Sequence, residues 1–141
     1  VVMLTGDHPK TAGRVAADLP VIGLNRHVVV APTDAEALRV AGPAFKSWRE
    51  HFSWLWDKKG VPFPFPYPET LEAHMAAGLS VVGSPKTVAD AFAHEIDASG
   101  GNAVIGHMIF GSIAYEDALQ SIELFAREVM PPLKARSTVT A

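Results

Sequence analysis

The stretch of sequence that decides the fold is Arg26-His27-Val28-Val29-Val30-Ala31-Pro32-Thr33-Asp34-Ala35-Glu36. Its first six residues are dominated by β-branched side chains, which favour an extended strand. Thr33 and Glu36 then match a capping box, a hydroxyl residue followed three positions later by a glutamate, and this pattern marks the start of a helix. A buried strand that leads directly into a helix is the repeating unit of a parallel sheet, so we expect an α/β fold.

The helix that begins after Thr33 is predicted to be long. Its apolar residues recur at spacings of three and four, which places them on one stripe, and they are Leu38, Ala41, Phe45, Trp48, Phe52 and Leu55. Gly60 is predicted to end this helix. The alternate prolines of residues 61–68 exclude a helix there. They predict an extended loop, which is either a lid or dimer contact or an irregular surface connection.

Three further units with the same strand–helix order flank this one. Upstream, residues 1–4 predict a strand and residues 9–19 a short helix. Downstream, residues 69–77 predict a short helix and residues 79–82 a strand. A helix then begins with Ser84 as its N-cap residue.

The last unit consists of a strand over residues 102–110 and a helix whose apolar positions recur at spacings of four and three. Those positions are Ala118, Ile122, Phe125 and Val129. Because proline lacks a backbone N–H and clashes with the preceding turn, Pro131 and Pro132 are predicted to stop this helix.

Four such units in 141 residues predict parallel strands joined by right-handed crossovers. They fit either an open doubly wound sheet or half of a TIM-type (β/α)8 barrel, which takes about 250 residues when complete. We take residues 1–134 as the half-barrel unit and residues 135–141 as a frayed tail. A half barrel presents open strand edges, so we expect the chain to self-associate.

Composition excludes several classes of function. With 48% hydrophobic and 19% charged residues and a net charge of −3, the chain has the profile of a soluble globular protein without a basic nucleic-acid surface. The absence of cysteine excludes disulfides, thiolate metal sites and cysteine nucleophiles. The sequence contains no apolar run of the roughly 18 residues that predict a membrane span. It also lacks a signal-peptide layout, and we expect a cytoplasmic location. The first residue is Val1, so an upstream start remains open.

The segment Gly6-Asp7-His8-Pro9-Lys10-Thr11 joins the first predicted strand to the first predicted helix. The N-terminus of a helix offers free N–H groups and a favourable dipole to an anion, so this segment is a candidate phosphate site. The alternative is an ordinary turn in which Asp7 caps the helix. Residues 83–87 also lead from a predicted strand into a helix N-terminus and could bind an anion in the same way. A well-capped helix start is the favoured interpretation there.

No histidine pair has the spacing of a metal motif. His27 and His107 lie inside predicted strands, where we expect hydrogen-bonded core residues, and His107 is placed to line an apolar pocket. Asp90 and Glu95 are expected on a solvated helix face.

The C-terminal half of the chain resembles the end of the luciferase-like flavin-dependent monooxygenases. The resemblance rests on a helix start, a glycine turn, a strand end and a final helix, which are Gly83-Ser84-Pro85-Lys86-Thr87-Val88-Ala89, Gly100-Gly101-Asn102, Phe110-Gly111 and Ser121-Ile122-Glu123-Leu124-Phe125-Ala126-Arg127-Glu128-Val129-Met130-Pro131. Residues 25–37 also resemble a segment of the family. The resemblance covers residues 20–133.

This resemblance implies a (β/α) barrel and activation of oxygen by reduced FMN on a small organic substrate, or F420-dependent hydride transfer. It implies that Gly6, Asp7, His8 and Thr11 hold the flavin phosphate. The missing N-terminal half of the barrel would be a partner, and a homo-oligomer is expected. No catalytic residue is assigned, because the family's proton-handling groups lie mostly in the other half. The isolated chain is therefore expected to be inactive.

Two alternatives stand beside this interpretation. One is a non-catalytic remnant or assembly module derived from the same family. The other is a piece of a P-type ATPase phosphorylation domain, because residues 1–19 contain Thr5-Gly6-Asp7. That family needs a Gly-Asp-Gly-x-Asn-Asp segment downstream, and the chain has none.

Overall fold

The computed structural model describes residues 21–63 and 67–137. The first predicted strand–helix unit, with Gly6, Asp7, His8 and Thr11, lies outside these residues. The described elements in chain order are β1 (Gly23–Val30), α1 (Asp34–Lys59), α2 (Leu71–Ala76), β2 (Ser80–Gly83), α3 (Pro85–Ser99), β3 (Ala103–His107), α4 (Tyr115–Leu124), a π-helical turn (Phe125–Val129) and α5 (Met130–Ser137).

The three strands form one parallel sheet in the order β2-β1-β3. The C-terminal half of β1 pairs with β2, from His27 opposite Ser80 to Val30 opposite Gly83. The N-terminal half of β1 pairs with β3, and this pairing ends where His27 lies opposite His107. The predicted α/β class with parallel strands is confirmed. Since β1 is central, the connection from β2 to β3 crosses β1.

Helices cover the two faces of this sheet. Side chains alternate along a strand, so odd-numbered residues of β1 point to one face and even-numbered residues to the other. The face that carries His27 and Val29 packs against α1 and α2, and we call it the histidine face. The face that carries Val28 and Val30 packs against α3, α4 and the π-helical turn, and we call it the valine face.

Local signals in the sequence set the ends of α1. The Thr33 hydroxyl accepts a hydrogen bond from the Glu36 backbone N–H at 3.2 Å, as the capping box predicts. Gly60 ends the helix with a φ of 61°, a left-handed conformation that favours glycine. The helix has 26 residues and is about 39 Å long, whereas the eight residues of β1 span about 26 Å. Only the middle of the predicted apolar stripe, around Phe45, is therefore buried.

The prediction that Pro131 and Pro132 stop the last helix is wrong. The chain stays helical to Ser137, and the backbone is helical on both sides of the π-helical turn Phe125–Val129. The Met130 backbone N–H donates to the Phe125 carbonyl oxygen five residues back, so this wider turn directly precedes the two prolines and the helix continues through them. Among the described residues, no helix combines the length and the apolar character needed to cross a bilayer.

Candidate functional site

The N-terminus of α3 is a capped helix start, as the favoured interpretation of residues 83–87 predicted. The Ser84 hydroxyl accepts a hydrogen bond from the Thr87 backbone N–H. The Asp34 carboxylate, from the first turn of α1, accepts a hydrogen bond from the Ser84 backbone N–H at 2.6 Å. This contact and the hydroxyls of Thr87 and Ser84 lower the pKa of Asp34. A carboxylate therefore occupies the place where a phosphate would bind.

The turn after β3 packs tightly against α1. Gly111 has a φ of 55°, and a Cβ atom at this position would lie 1.8 Å from the Ala44 carbonyl oxygen. The Ser112 hydroxyl donates to the carbonyl oxygen of Pro43 at 3.3 Å. Gly111 is thus required for close packing, and this turn leaves no space for a ligand beside α1.

A cluster of histidines lies on the histidine face, at the level where the three strands meet. The register places His27 of β1 beside Ser80 of β2 and His107 of β3. The ring of His27 lies 5.4 Å from that of His74, on α2, and 5.8 Å from that of His107. The structure therefore brings together three histidines that are far apart in the sequence.

His74 is held at both ring nitrogens. Its Nδ1 lies 2.7 Å from the Ser80 hydroxyl and its Nε2 lies 2.9 Å from the Tyr67 hydroxyl. The side chain is 1% exposed. These contacts form a buried chain of hydrogen bonds from Tyr67 through His74 to Ser80, which fixes the short helix α2 against the start of β2.

His27 is held by ring contacts instead. Its imidazole stacks on Phe110, with ring centroids 4.5 Å apart, and meets the edge of Trp48 at 4.4 Å. Its Nδ1 is buried and makes no hydrogen bond within the described residues. The prediction of a hydrogen-bonded core histidine is therefore wrong for His27, because aromatic rings rather than polar groups surround it.

Burial keeps both core histidines uncharged at neutral pH. Desolvation lowers the pKa of His74 to about 4. Desolvation also lowers the pKa of His27 to about 4, with smaller contributions from the neighbouring His74 and His107. A neutral imidazole has one donor and one acceptor nitrogen.

A cleft of about 140 Å³ opens beside these histidines. Aromatic and polar side chains dominate its lining, which comprises Asn25, Arg26, His27, Trp48, Tyr67, His74, Leu79 and His107. The cleft is smaller than the roughly 300–1,000 Å³ of most small-molecule sites. His107 lines this cleft and also an apolar depression beside Ile105, Met108 and Ile109, so its expected position at an apolar pocket is confirmed. The prediction that it is a core residue is wrong, because His107 is exposed near the end of β3.

The only guanidinium that lines the cleft, among the described residues, is already paired. Arg26 contacts the Glu95 carboxylate on α3 at 2.9 Å, and both side chains are largely buried. The prediction that Glu95 lies on a solvated helix face is therefore wrong, because Arg26 of β1 pairs with its carboxylate. Within the described residues, no three histidine, aspartate or glutamate side chains are grouped to hold a metal ion.

Sequence reasoning missed most of this cluster. His74 comes from a six-residue helix, and its place beside His27 depends on how the preceding loop returns to the sheet. Only the pairing of His27 with His107 had a usable signal, since both lie in strands of one parallel sheet. The predicted phosphate residues Gly6, Asp7, His8 and Thr11 lie outside the described residues.

No family model matches the chain, but one curated protein is similar to it. The chain is 28% identical over 109 residues to the uncharacterized protein y4wF of Sinorhizobium fredii, covering 77% of this chain and 32% of that protein.

Two solved structures are similar to this chain. One is the oxygenating constituent of 3,6-diketocamphane monooxygenase from Pseudomonas putida, a type II Baeyer–Villiger monooxygenase in complex with FMN. It is 25% identical with a TM-score of 0.56, over 77% of this chain and 33% of that one. The other is the monooxygenase RslO1 of Streptomyces bottropensis, 16% identical with a TM-score of 0.65, over 91% of this chain and 40% of that one.

The chain therefore spans about a third of the length of the curated relative and of the FMN complex. Its α/β architecture with parallel strands corresponds to part of the TIM-type barrel of the monooxygenase structures. The likeness supports a flavin monooxygenase-like fold, which agrees at this level with the resemblance seen in the sequence.

Proposed function

We propose that this chain supplies the C-terminal part of the barrel of a luciferase-like, FMN-dependent monooxygenase that acts on a small organic substrate. The observation that carries the proposal is the similarity, in sequence and in fold, to an FMN-bound monooxygenase over 77% of the chain. The resemblance of residues 83–131 to the end of that family points the same way.

The proposed binding site for the FMN phosphate is the turn that contains Gly6, Asp7, His8 and Thr11. A strand-to-helix turn with a glycine offers backbone N–H groups to a phosphate. The start of α3 does not fit as a phosphate site, since the Asp34 carboxylate would repel a second anion there. Exclusion of the start of α3 supports residues 6–11 as the phosphate site.

Reduced FMN, when bound, would supply the electrons for oxygen activation. The part assigned to this chain is to bind the phosphate and to complete the wall of the barrel around the flavin. F420 is the alternative cofactor. The proposed partners are the rest of the barrel and a second copy of the chain, and the proposed location is the cytoplasm.

The outer edge of β3 supports the need for a further part of the barrel. It carries exposed apolar side chains, with Ile105 51% and Ile109 72% exposed, beside Ile122 of α4. Within residues 21–63 and 67–137, β3 has a strand neighbour on one side only. An open apolar edge of this kind is a site for pairing with another strand.

Titration with FMN and with riboflavin tests the phosphate site. Riboflavin lacks the phosphate, so we expect FMN to bind at least tenfold more tightly, as measured by quenching of flavin fluorescence. Thr11→Ala should weaken FMN binding and leave riboflavin binding unchanged. Thr87→Ala, at the start of α3, is the matched control and should change neither affinity.

The other outcomes separate the alternatives. Equal affinity for FMN and riboflavin would reject the phosphate site. Tighter binding of F420 than of FMN would reject FMN as the cofactor. No binding of any flavin, even when the chain is joined to the preceding part of a full-length barrel, would reject the enzyme and favour the assembly module. Oxygenation of ketones by that joined protein with reduced FMN tests the activity itself.

A further inference from the structure

The outer edge of β3 combines free backbone groups with an exposed apolar side chain. The Ala103 backbone N–H donates to the Ile22 carbonyl oxygen, just before β1, at 3.1 Å. Because successive residues of a strand direct their N–H groups to opposite sides, Val104 and Gly106 direct theirs away from β1. Ile105 is 51% exposed, and the register with β1 places its side chain on the histidine face. Among the described residues, no strand pairs with this edge.

Helices cover the two faces of the sheet unequally. On the histidine face, α1 and α2 pack over β1 and β2. On the valine face, α3 packs over the same two strands, and its Val88 and Phe92 are 0% exposed. Val104 of β3 also packs against the apolar cluster of the valine face. Within residues 21–63 and 67–137, the histidine face above Ile105 is therefore a part of the sheet without a helix over it.

The two described crossovers have the same hand. The connection from β1 to β2 passes through α1 and α2 on the histidine face. The connection from β2 to β3 runs across the sheet in the opposite direction and passes through α3 on the valine face. A change of both direction and face preserves the hand of a crossover. Since parallel crossovers are right-handed in nearly all proteins, we expect a further crossover in this sheet to have that hand too.

Residues 1–20 precede β1, and their sequence predicts one more unit of this kind, a strand over residues 1–4 and a helix over residues 9–19. Both sides of β1 are occupied, so the strand must pair at an outer edge of the sheet. At the edge of β2, the common hand would place the helix on the valine face, where α3 already lies. At the edge of β3, it places the helix on the histidine face above Ile105.

We propose that residues 1–4 pair in parallel with the outer edge of β3 and that a helix over residues 9–19 covers Ile105. The dimensions agree, because such a helix is about 17 Å long and the five residues of β3 also span about 17 Å. Residues 1–4 would then carry the open edge of the sheet, and the rest of a barrel would pair with them. Neither a flavin nor a phosphate site is needed for this inference, so it stands or falls separately from the proposed function.

Paramagnetic broadening of amide NMR resonances in the full chain tests the pairing. The sequence contains no cysteine, so Val1→Cys and Thr5→Cys each accept one nitroxide label at a defined position. In a parallel pair, the label at residue 1 should broaden the start of β3 more than its end, and the label at residue 5 should do the reverse. Both labels should broaden β3 most, β1 less and β2 least, because each strand lies about 4.8 Å further away.

Several results would overturn the pairing. Strongest broadening in β2 would place the segment at the other edge, and the reverse order along β3 would make the pair antiparallel. Broadening of a ¹⁵N-labelled, cysteine-free chain by a spin-labelled chain mixed with it would show that a second copy occupies the edge. If neither variant folds, amide exchange of the unmodified chain decides: the Gly106 amide should exchange as slowly as that of Ile105, and exchange at the rate of an unstructured peptide would reject the proposal.

A matched pair of substitutions tests the helix over Ile105. Ile105 and Val61 are 51% and 53% exposed in the described structure, so Ile105→Thr and Val61→Thr remove apolar contacts of similar apparent size. If residues 9–19 cover Ile105, Ile105→Thr should lower the urea midpoint of unfolding of the full chain clearly more than Val61→Thr does. Equal shifts of the midpoint would reject the covering helix.

Discussion

The two faces of the sheet solve the same packing problem with different residues. The valine face is filled by aliphatic side chains and Phe92, and it also buries Ser121 of α4, whose hydroxyl accepts a hydrogen bond from the Val30 backbone N–H at 2.8 Å. The histidine face has a comparable apolar cluster around Phe45, but it also buries His27, His74 and Ser80. The polar side chain of the valine face bonds to the backbone of β1, whereas on the histidine face the His74 ring connects the side chains of Tyr67 and Ser80. The two faces therefore differ in what their buried polar groups contact, and on the histidine face these groups connect α2 to β2.

The largest expected effect is the loss of a buried ring from either face. Phe92 is 0% and Phe45 2% exposed, so we expect Phe92→Ala and Phe45→Ala each to cost about 3–5 kcal/mol in the free energy of unfolding, measured in urea. Leu119→Ala, at a position that is 42% exposed, is the control and should cost less than about 1 kcal/mol.

The two phenylalanine variants should differ in one further respect. The ring of Phe45 lies 4.8 Å from that of His74, whereas Phe92 lies on the opposite side of the sheet. Only Phe45→Ala should therefore shift the NMR resonances of His74. Equal shifts in both variants would contradict the separation of the two faces.

Acidification should weaken the histidine face. The pKa values of His27 and His74 are lowered from 6.5 to about 4 in the folded state, so the unfolded chain binds more protons in this window. Stability is then complete above pH 6.5 and falls as the pH drops towards 4, by a total on the order of a few kcal/mol. Urea unfolding at a series of pH values measures this loss.

Substitution of one histidine sharpens the pH prediction. His74→Asn removes one of the two titrating groups, so the loss of stability between pH 6.5 and 4 should be roughly halved. His94→Asn, on the exposed side of α3, should leave the pH dependence as it is. A stability that stays constant from pH 6.5 to 4 would show that the histidines are not buried in the neutral form.

A smaller effect is expected where the turn after β3 meets α1. Gly111→Ala places a Cβ atom on the Ala44 carbonyl and forces a positive φ on alanine, so we expect a loss of about 2 kcal/mol or more. Gly42→Ala, inside α1 with no atom within 4 Å of the new Cβ, should instead raise stability by up to about 1 kcal/mol. Thermal unfolding of both variants checks the signs, and a neutral Gly111→Ala would contradict the close packing.

Local signals explain what could be predicted from the sequence. The caps at Thr33 and Ser84 and the terminating glycine Gly60 depend on a few neighbouring residues, and the structure has them as predicted. The strand–helix order predicted parallel pairing, because each strand–helix unit can be recognised from its own residues without knowledge of the others.

The candidate site could not be predicted in this way, because it depends on contacts between distant segments. His74 reaches His27 only after α2 packs beside β2, and the occupation of the α3 N-terminus by Asp34 depends on the position of α1. The prediction that the last helix ends at Pro131 was wrong because the rule that proline stops a helix takes no account of a wider turn just before it.

The π-helical turn Phe125–Val129 determines where the chain length can change. It holds one residue more than an α-helical turn needs, so deletion of one residue within it restores an ordinary α-helical turn and leaves α5 in place. Deletion of one residue between this turn and Leu133 would instead rotate the following residues by about 100° about the helix axis. Leu133 would leave the apolar cluster of the valine face, and Arg136 would lose its ion pair with Asp97 on α3. The part of the chain between this turn and Leu133 should therefore accept amino-acid replacements much more readily than insertions or deletions.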